Sequence, residues 1–204
     1  MIGIVDYGLG NVGAFANVYK NARIPAITCS TADHLAGTTR IILPGVGAFD
    51  HAMDSLNKSG MREALDDRVL KDKVPVLGVC VGMQMMARSS EEGRGPGLGW
   101  VDGVVKRIDC SRLTSGARLP HMGWNDVAPR GRIGLFRGLD DKAIFYFLHS
   151  YCFVCSHDEN VIAETDYGTR FACAVNSANV YGVQFHPEKS HGYGTRLLMN
   201  FAEL

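Results

Sequence analysis

Seven residues, Gly78-Val79-Cys80-Val81-Gly82-Met83-Gln84, place a thiol between glycines where an apolar run, Pro75-Val76-Leu77, gives way to a helical pattern over Gly82–Arg88. A cysteine on such a strand-to-helix turn takes the place of the serine in a nucleophile elbow. The glycines permit a tight turn and leave room for a substrate beside the sulfur. A helix N-terminus behind Cys80 favours thiolate over thiol, and the thiolate is the nucleophile. Such a nucleophile needs a base, and the base an orienting group. Far downstream, the strand-like run Val180–Phe185 leads into His186-Pro187-Glu188. Pro187 fixes its own φ and biases His186 toward extended geometry, so imidazole and carboxylate share one rigid turn. Taken singly, Cys80 reads as a buried apolar residue and His-Pro-Glu as an ordinary turn. Together, Cys80, His186 and Glu188 form a set for thiol acyl transfer.

Other residues gain meaning from that pair. Pro44-Gly45-Val46-Gly47 follows a strand and falls at the carboxyl edge of the sheet, where open α/β sheets bind ligands. It reads as a tight turn or, beside a thiol nucleophile, as a source of N–H groups for a tetrahedral intermediate. Gln84 lies one helical turn after Cys80 on the same face, within reach of a substrate at the sulfur. Gly8-Leu9-Gly10-Asn11-Val12-Gly13, with Asp33 beyond it, matches a dinucleotide fingerprint and makes an NAD-dependent oxidoreductase the rival class. Asp33, however, falls in a Ser-Thr-Ala-Asp helix start rather than at a strand end. Cys152-Phe153-Val154-Cys155, close to His157, could begin a zinc site. It lacks a second ligand pair, and strand geometry sends the two thiols to opposite faces. No metal and no cofactor is expected.

These segments resemble the class I (triad-type) glutamine amidotransferases over nearly the whole chain, and most closely the glutaminase subunit of imidazole glycerol phosphate synthase. The elbow and His-Pro-Glu turn are shared across the class. The narrower resemblance rests on Asp6-Tyr7-Gly8-Leu9-Gly10-Asn11, Leu43–Phe49, Pro120-His121-Met122-Gly123-Trp124-Asn125, Phe147–Tyr151 and Gln184–Ser190. It implies Cys80, His186 and Glu188 as the catalytic triad, with the N–H groups of Val46 and Val81 as the oxyanion hole. It further implies Gly45, Gly47, Gln84, Ser150 and Tyr151 as glutamine binders, with His149 structural. With glycines on both sides, the Val46 peptide can rotate, so the hole is expected to be incomplete until a liganded partner binds. Because 204 residues hold no ammonia acceptor, a partner is implied. The resemblance makes it a (β/α)8 cyclase in a 1:1 heterodimer. Pro120, His121, Met122, Gly123, Trp124 and Asn125, with exposure-prone Met122 and Trp124, read as a docking loop for it or as an ordinary hydrophobic strand entry. Val-Cys-Val at the elbow and Lys189-Ser190-His191-Gly192-Tyr193-Gly194 depart from the commonest pattern. They bring the chain toward paralogues that supply ammonia to a sugar-amidinating partner in surface polysaccharide synthesis.

The positioning elements follow from hydrophobic periodicity. Ile2–Asp6, Pro25–Thr28, Arg40–Leu43 and Pro75–Val79 read as strands, separated by helical material over 11–21 and 51–70. That alternation predicts an α/β fold: an open, mixed, mostly parallel sheet with helices on both faces. From Trp100 onward, closely spaced strand patterns (Trp100–Ile108, Ala143–Phe147, Val161–Thr165, Phe171–Val175, Val180–Phe185) predict an antiparallel extension, ending in a helix over 194–203. Glu91–Gly99 reads as a loop. One domain over residues 1–204 is expected. Lys and Arg together number 21, matching 21 Asp and Glu, so nothing suggests nucleic acid or an anionic membrane. No apolar stretch is long enough to span a bilayer. The six cysteines (29, 80, 110, 152, 155 and 173) read as reduced thiols of a cytoplasmic protein.

Overall fold

The computed structural model describes residues 1–109, 111, 118–131, 133–140 and 143–204. Strand β1 (Ile2–Val5) is buried along its length, as a continuous apolar run must be when both sheet faces are covered. In chain order follow β2 (Ala26–Cys29), β3 (Arg40–Gly45), β4 (Val76–Cys80), β5 (Ser89–Ser90), β6 (Gly103–Arg107), β7 (His121–Asp126) and β8 (Ala128–Pro129). The remaining strands are β9 (Ile144–His149), β10 (Tyr151–Cys155), β11 (Val161–Asp166), β12 (Arg170–Ser177) and β13 (Val180–Val183). The large sheet runs β2-β1-β3-β4-β13-β12-β10-β6-β5, with β11 joining β12 to β8. Its first five strands are parallel, and the turn to antiparallel pairing comes at β13–β12. Strands β7 and β9 form a separate antiparallel pair.

The helices are α1 (Val12–Asn21), α2 (Ala32–Leu35), α3 (Phe49–Lys58), α4 (Arg62–Asp66), α5 (Val81–Met85) and α6 (His191–Glu203). They cover both faces of the sheet; α1 packs with α6, and α3 with α5. The Tyr19 hydroxyl donates to the Leu198 carbonyl, tying α1 to α6. One continuous cluster of buried apolar side chains extends from Ile2 to Phe201. The expected architecture is therefore present, with differences in detail. The helical region over 51–70 is interrupted where Gly60 adopts φ +74°, and α4 runs on into a π-helical turn, Asp67–Lys71. The helix after Cys80 is only five residues long, because Met86 and Ala87 donate to carbonyls three residues back and the chain enters β5. The segment 120–125 is no loop. Residues 121–125 lie in β7, which pairs in register with β9. No helix among the described residues is long and apolar enough to cross a membrane.

Candidate active site

Three neighbouring parallel strands deliver the site. In the ladders Gly45 stands beside Cys80, and Val79 beside Val183. The ends of β3, β4 and β13 therefore lie side by side at the carboxyl edge of the sheet. Cys80 itself carries the unusual backbone, φ +56° and ψ −113°. For a residue with a Cβ this costs roughly 1–3 kcal/mol and persists only where surrounding packing enforces it. The enforcing contact is visible: a Cβ on Gly82 would overlap the Leu43 carbonyl oxygen, and one on Gly45 the Gly82 nitrogen. The elbow glycines thus serve a backbone-to-backbone packing of α5 on β3, while the left-handed turn falls on the cysteine.

His186 follows β13 and is buried. Its Nδ1 lies 2.9 Å from Glu188 Oε1, and the Glu188 side chain is only 2 % exposed. Burial would lower the imidazole pKa. Hydrogen bonds to Cys80 and Glu188, with the charges of both, outweigh it and raise the value to about 9. A ring bound to a carboxylate through Nδ1 turns Nε2 toward the sulfur. The sulfur is also approached at 3.8 Å by Gln184 Nε2 and by the Leu148 carbonyl.

Cys80 and His186 open into one cavity of about 250 Å³, which Val46, Gly47, Val81, Gln84, Ser150 and Tyr151 help to line. Gly45 lies beneath it, pressed against α5. Gln84 is buried, with its two amide hydrogens committed to the Tyr151 carbonyl (3.2 Å) and Gln184 Oε1 (2.9 Å). Its own carbonyl oxygen is what remains to meet a ligand.

The segment expected to face a partner splits by strand alternation. Met122 and Trp124 are 63 % and 45 % exposed, and their ladder partners are Leu148 and Tyr146. Pro120 is exposed and lines the cavity mouth, while Gly123 and Asn125 are half-buried. His121 is the correction: it points inward, 2 % exposed, with its ring stacked on Phe147 and Tyr167. Alternation along β7 sends it opposite to Met122, so it offers a partner no surface.

Sequence reasoning missed Gln184, Glu92 and Lys189. Gln184 is fully buried behind the sulfur, and its signal was a lone polar residue in the apolar run before His186. Glu92 and Lys189 line the cavity. Glu92 Oε2 accepts the Phe49 N–H at the start of α3 (3.0 Å), and Asp50 accepts the N–H groups of Arg94 and Gly95. The loop over 91–99 is thereby pinned to α3.

The glycine fingerprint and the cysteine pair occupy other places in the fold. Gly10 turns at φ +94° against the Pro44 ring, Asn11 caps α1, and Asp33 lies on α2 rather than at the end of β2. Cys152 and Cys155 lie in β10 with thiol pKa values raised by burial to about 11 and about 12, and His157 pairs with Asp102. Cys29, Cys80, Cys152, Cys155 and Cys173 are free thiols; Cys110 lies outside the described residues.

The family model for glutamine amidotransferase class-I matches residues 4–204. Among curated relatives, the imidazole glycerol phosphate synthase subunit HisH of Bdellovibrio bacteriovorus is 61 % identical over 204 residues, covering both chains fully. HisH of Leptospira interrogans is 51 % identical, again over both full lengths. HisH 2 of Pseudomonas aeruginosa is 41 % identical with the same coverage. Among solved structures, a glutamine amidotransferase superposes with a TM-score of 0.74 at 20 % identity, covering 100 % of this chain and 99 % of its own. A putative GMP synthase protein from Thermoplasma acidophilum gives 0.73 at 22 %, covering 99 % and 92 %. The elbow, the strand order and the full-length matches agree: this chain belongs to the class-I glutamine amidotransferase family, and within it to the HisH group.

Proposed function

We propose that the chain is the glutaminase subunit of an imidazole glycerol phosphate synthase in histidine biosynthesis, acting through Cys80, His186 and Glu188. The observation that carries the reading is the meeting of a left-handed Cys80 elbow with a carboxylate-bound His186 in one cavity. The Cys80 thiolate attacks the side-chain amide carbon of glutamine. The N–H groups of Val46 and Val81 receive the oxyanion, and the His186 imidazolium gives its proton to the departing ammonia. Neutral His186 then takes a proton from water, which opens the glutamyl thioester. Glutamate leaves, and the thiolate–imidazolium pair is restored. Glu188 holds the imidazole in orientation throughout. Gln84 and the Ser150–Tyr151 main chain hold the glutamine, and Glu92 offers a carboxylate to its ammonium group.

Ammonia in water at neutral pH is mostly ammonium, so the product must pass directly to an acceptor. Its proposed recipient is a (β/α)8 cyclase in a 1:1 heterodimer. Leu148 lines the cavity and also shares the outer face of the β7–β9 pair with Met122 and Trp124, which suits docking there. Val46 lies at the same mouth, 38 % exposed, and its glycine-flanked peptide suits an oxyanion hole completed when the liganded partner seats. The buried free thiols suit a cytoplasmic setting.

The deciding assay is glutamate release by wild type and Cys80→Ala, alone and with the cyclase carrying its nucleotide ligand. Partner-stimulated release that disappears in Cys80→Ala is the expected result. Equal rates with and without the liganded partner would sink the incomplete oxyanion hole. Cys80-dependent release that ignores the cyclase would redirect the acceptor to a sugar-amidinating partner.

A further inference from the structure

The proposed mechanism uses one of the two buried imidazoles at the cavity. The other, His149, belongs to a chain of hydrogen bonds whose direction is fixed at both ends. Its Nδ1 lies 2.7 Å from the Tyr151 carbonyl oxygen, and its Nε2 lies 3.1 Å from His121 Nδ1. His121 Nε2 lies 3.3 Å from Asn125 Nδ2, which also donates to the Asp166 carbonyl at 2.9 Å. Asn125 Oδ1 accepts the Asp126 N–H at 2.9 Å, so its amide cannot be turned over.

An amide nitrogen only donates, so His121 Nε2 must accept and the His121 proton sits on Nδ1. That proton points at His149 Nε2, which must also accept. The His149 proton is then on Nδ1, aimed at the Tyr151 carbonyl. Starting from the carbonyl, which can only accept, gives the same assignment. A further proton on either ring would set donor against donor. The surroundings agree: burial lowers His121 to about 4 and His149 to about 3. The same Tyr151 oxygen receives Gln84 Nε2, so both its lone-pair directions are engaged.

We infer that His149 is a positioning residue for glutamine binding. Its Nδ1–H, locked by His121 and Asn125, clamps the Tyr151 carbonyl and through it fixes Gln84 and the Ser150–Tyr151 main chain around the substrate. The inference rests on the glutaminase reading of the cavity. It predicts that cavity binding, rather than the chemical step, depends on His149. It also predicts that His121 acts only through His149, which it touches while remaining out of the cavity lining.

Two measurements test it. In uniformly labelled wild-type protein, long-range proton–nitrogen correlation spectra should show His121 and His149 neutral and protonated at Nδ1 from pH 5.5 to 8. An Nε2–H tautomer or a charged ring at either position overturns the inference, and this result does not depend on catalysis. In the complex with the liganded cyclase, His149→Leu should raise the KM for glutamine by about tenfold, because the Tyr151 carbonyl keeps only its Gln84 partner and the buried His121 Nδ1–H is left unpaired, with kcat changed less. His149→Asn keeps a donor near the Nδ1 position and should recover most of the KM. An unchanged KM in a folded His149→Leu, or no recovery in a folded His149→Asn, overturns the positioning role. If wild type itself shows no Cys80-dependent glutaminase activity, the functional reading fails while the tautomer assignment stands.

Discussion

At the scale of single residues, the catalytic proposal turns on one proton. His186 is held cationic because the sulfur and Glu188 together outweigh its burial. A base whose pKa is raised keeps its proton below the new value and loses it above. Acylation spends that proton on ammonia, so kcat/KM for glutamine should decline as pH rises through about 9. A descending limb near the unperturbed histidine value would contradict the assignment. Glu188→Gln keeps the shape of the carboxylate and removes its charge. Its expected effect is a loss of kcat of about a hundredfold or more, and a descending limb moved to lower pH. Both are read from one pH–rate series. The meeting of Cys80, His186 and Glu188 was legible in the sequence because thiol chemistry demands particular residue types at strand ends, and Pro187 marks the turn. Gln184, Glu92 and the inward His121 were not legible, because each acquires its role from an element distant in sequence. Gln184 meets Gln84 across 100 residues, and His121 meets His149 across a strand pair.

At the scale of elements, the site depends on α5 pressing its backbone on β3. Gly82 and Gly45 are the contact, and a methyl group there has no space to enter. Gly82→Ala should therefore destabilise the fold by about 1–3 kcal/mol or more, measurable as a lower urea midpoint, and should displace Cys80 from its strained turn. Retention of both midpoint and glutaminase rate would show that the close approach is not what enforces the elbow. The parallel half of the sheet was readable from its uniform apolar runs. After Cys80 the sequence pattern predicts a longer helix than the one that forms. The residues of α5 are all buried, so periodicity alone could not locate its end. The run over 120–125 reads in the sequence as a docking loop, for its exposure-prone Met122 and Trp124, or as a hydrophobic strand entry, and strand β7 is what forms. In the fold Gly123 sits in the ladder at φ +132° opposite Phe147.

At the scale of the whole molecule, the β7–β9 pair joins the cavity to the proposed docking face. Its inner face carries His121 and His149, and its outer face exposes Met122, Trp124 and Leu148. His191 stacks flat on Trp124, with ring centroids 5.2 Å apart, and the Lys189 ammonium lies 5.8 Å from the Tyr146 ring centre. Large aromatic side chains held in place by neighbours contribute disproportionately to interfaces. Trp124→Ala should weaken the cyclase complex by about 10- to 100-fold, measured as a Kd by titration calorimetry. A Kd within twofold of wild type would move the docking surface elsewhere. Only the folded arrangement says which side of β7 faces outward.

The placement of β13 between β4 and β12 has a consequence for how the protein is made. A ribosome releases the nucleophile long before it releases the strand that brings the base. Until residues 180–183 emerge, β4 has no neighbour on one side and presents an apolar edge, the kind of surface that captures other chains. Pairings between such distant segments also form slowly. Nascent or C-terminally truncated chains should therefore be chemically silent toward glutamine and prone to aggregate. Residues through Glu188 have to be made before the proposed triad can assemble.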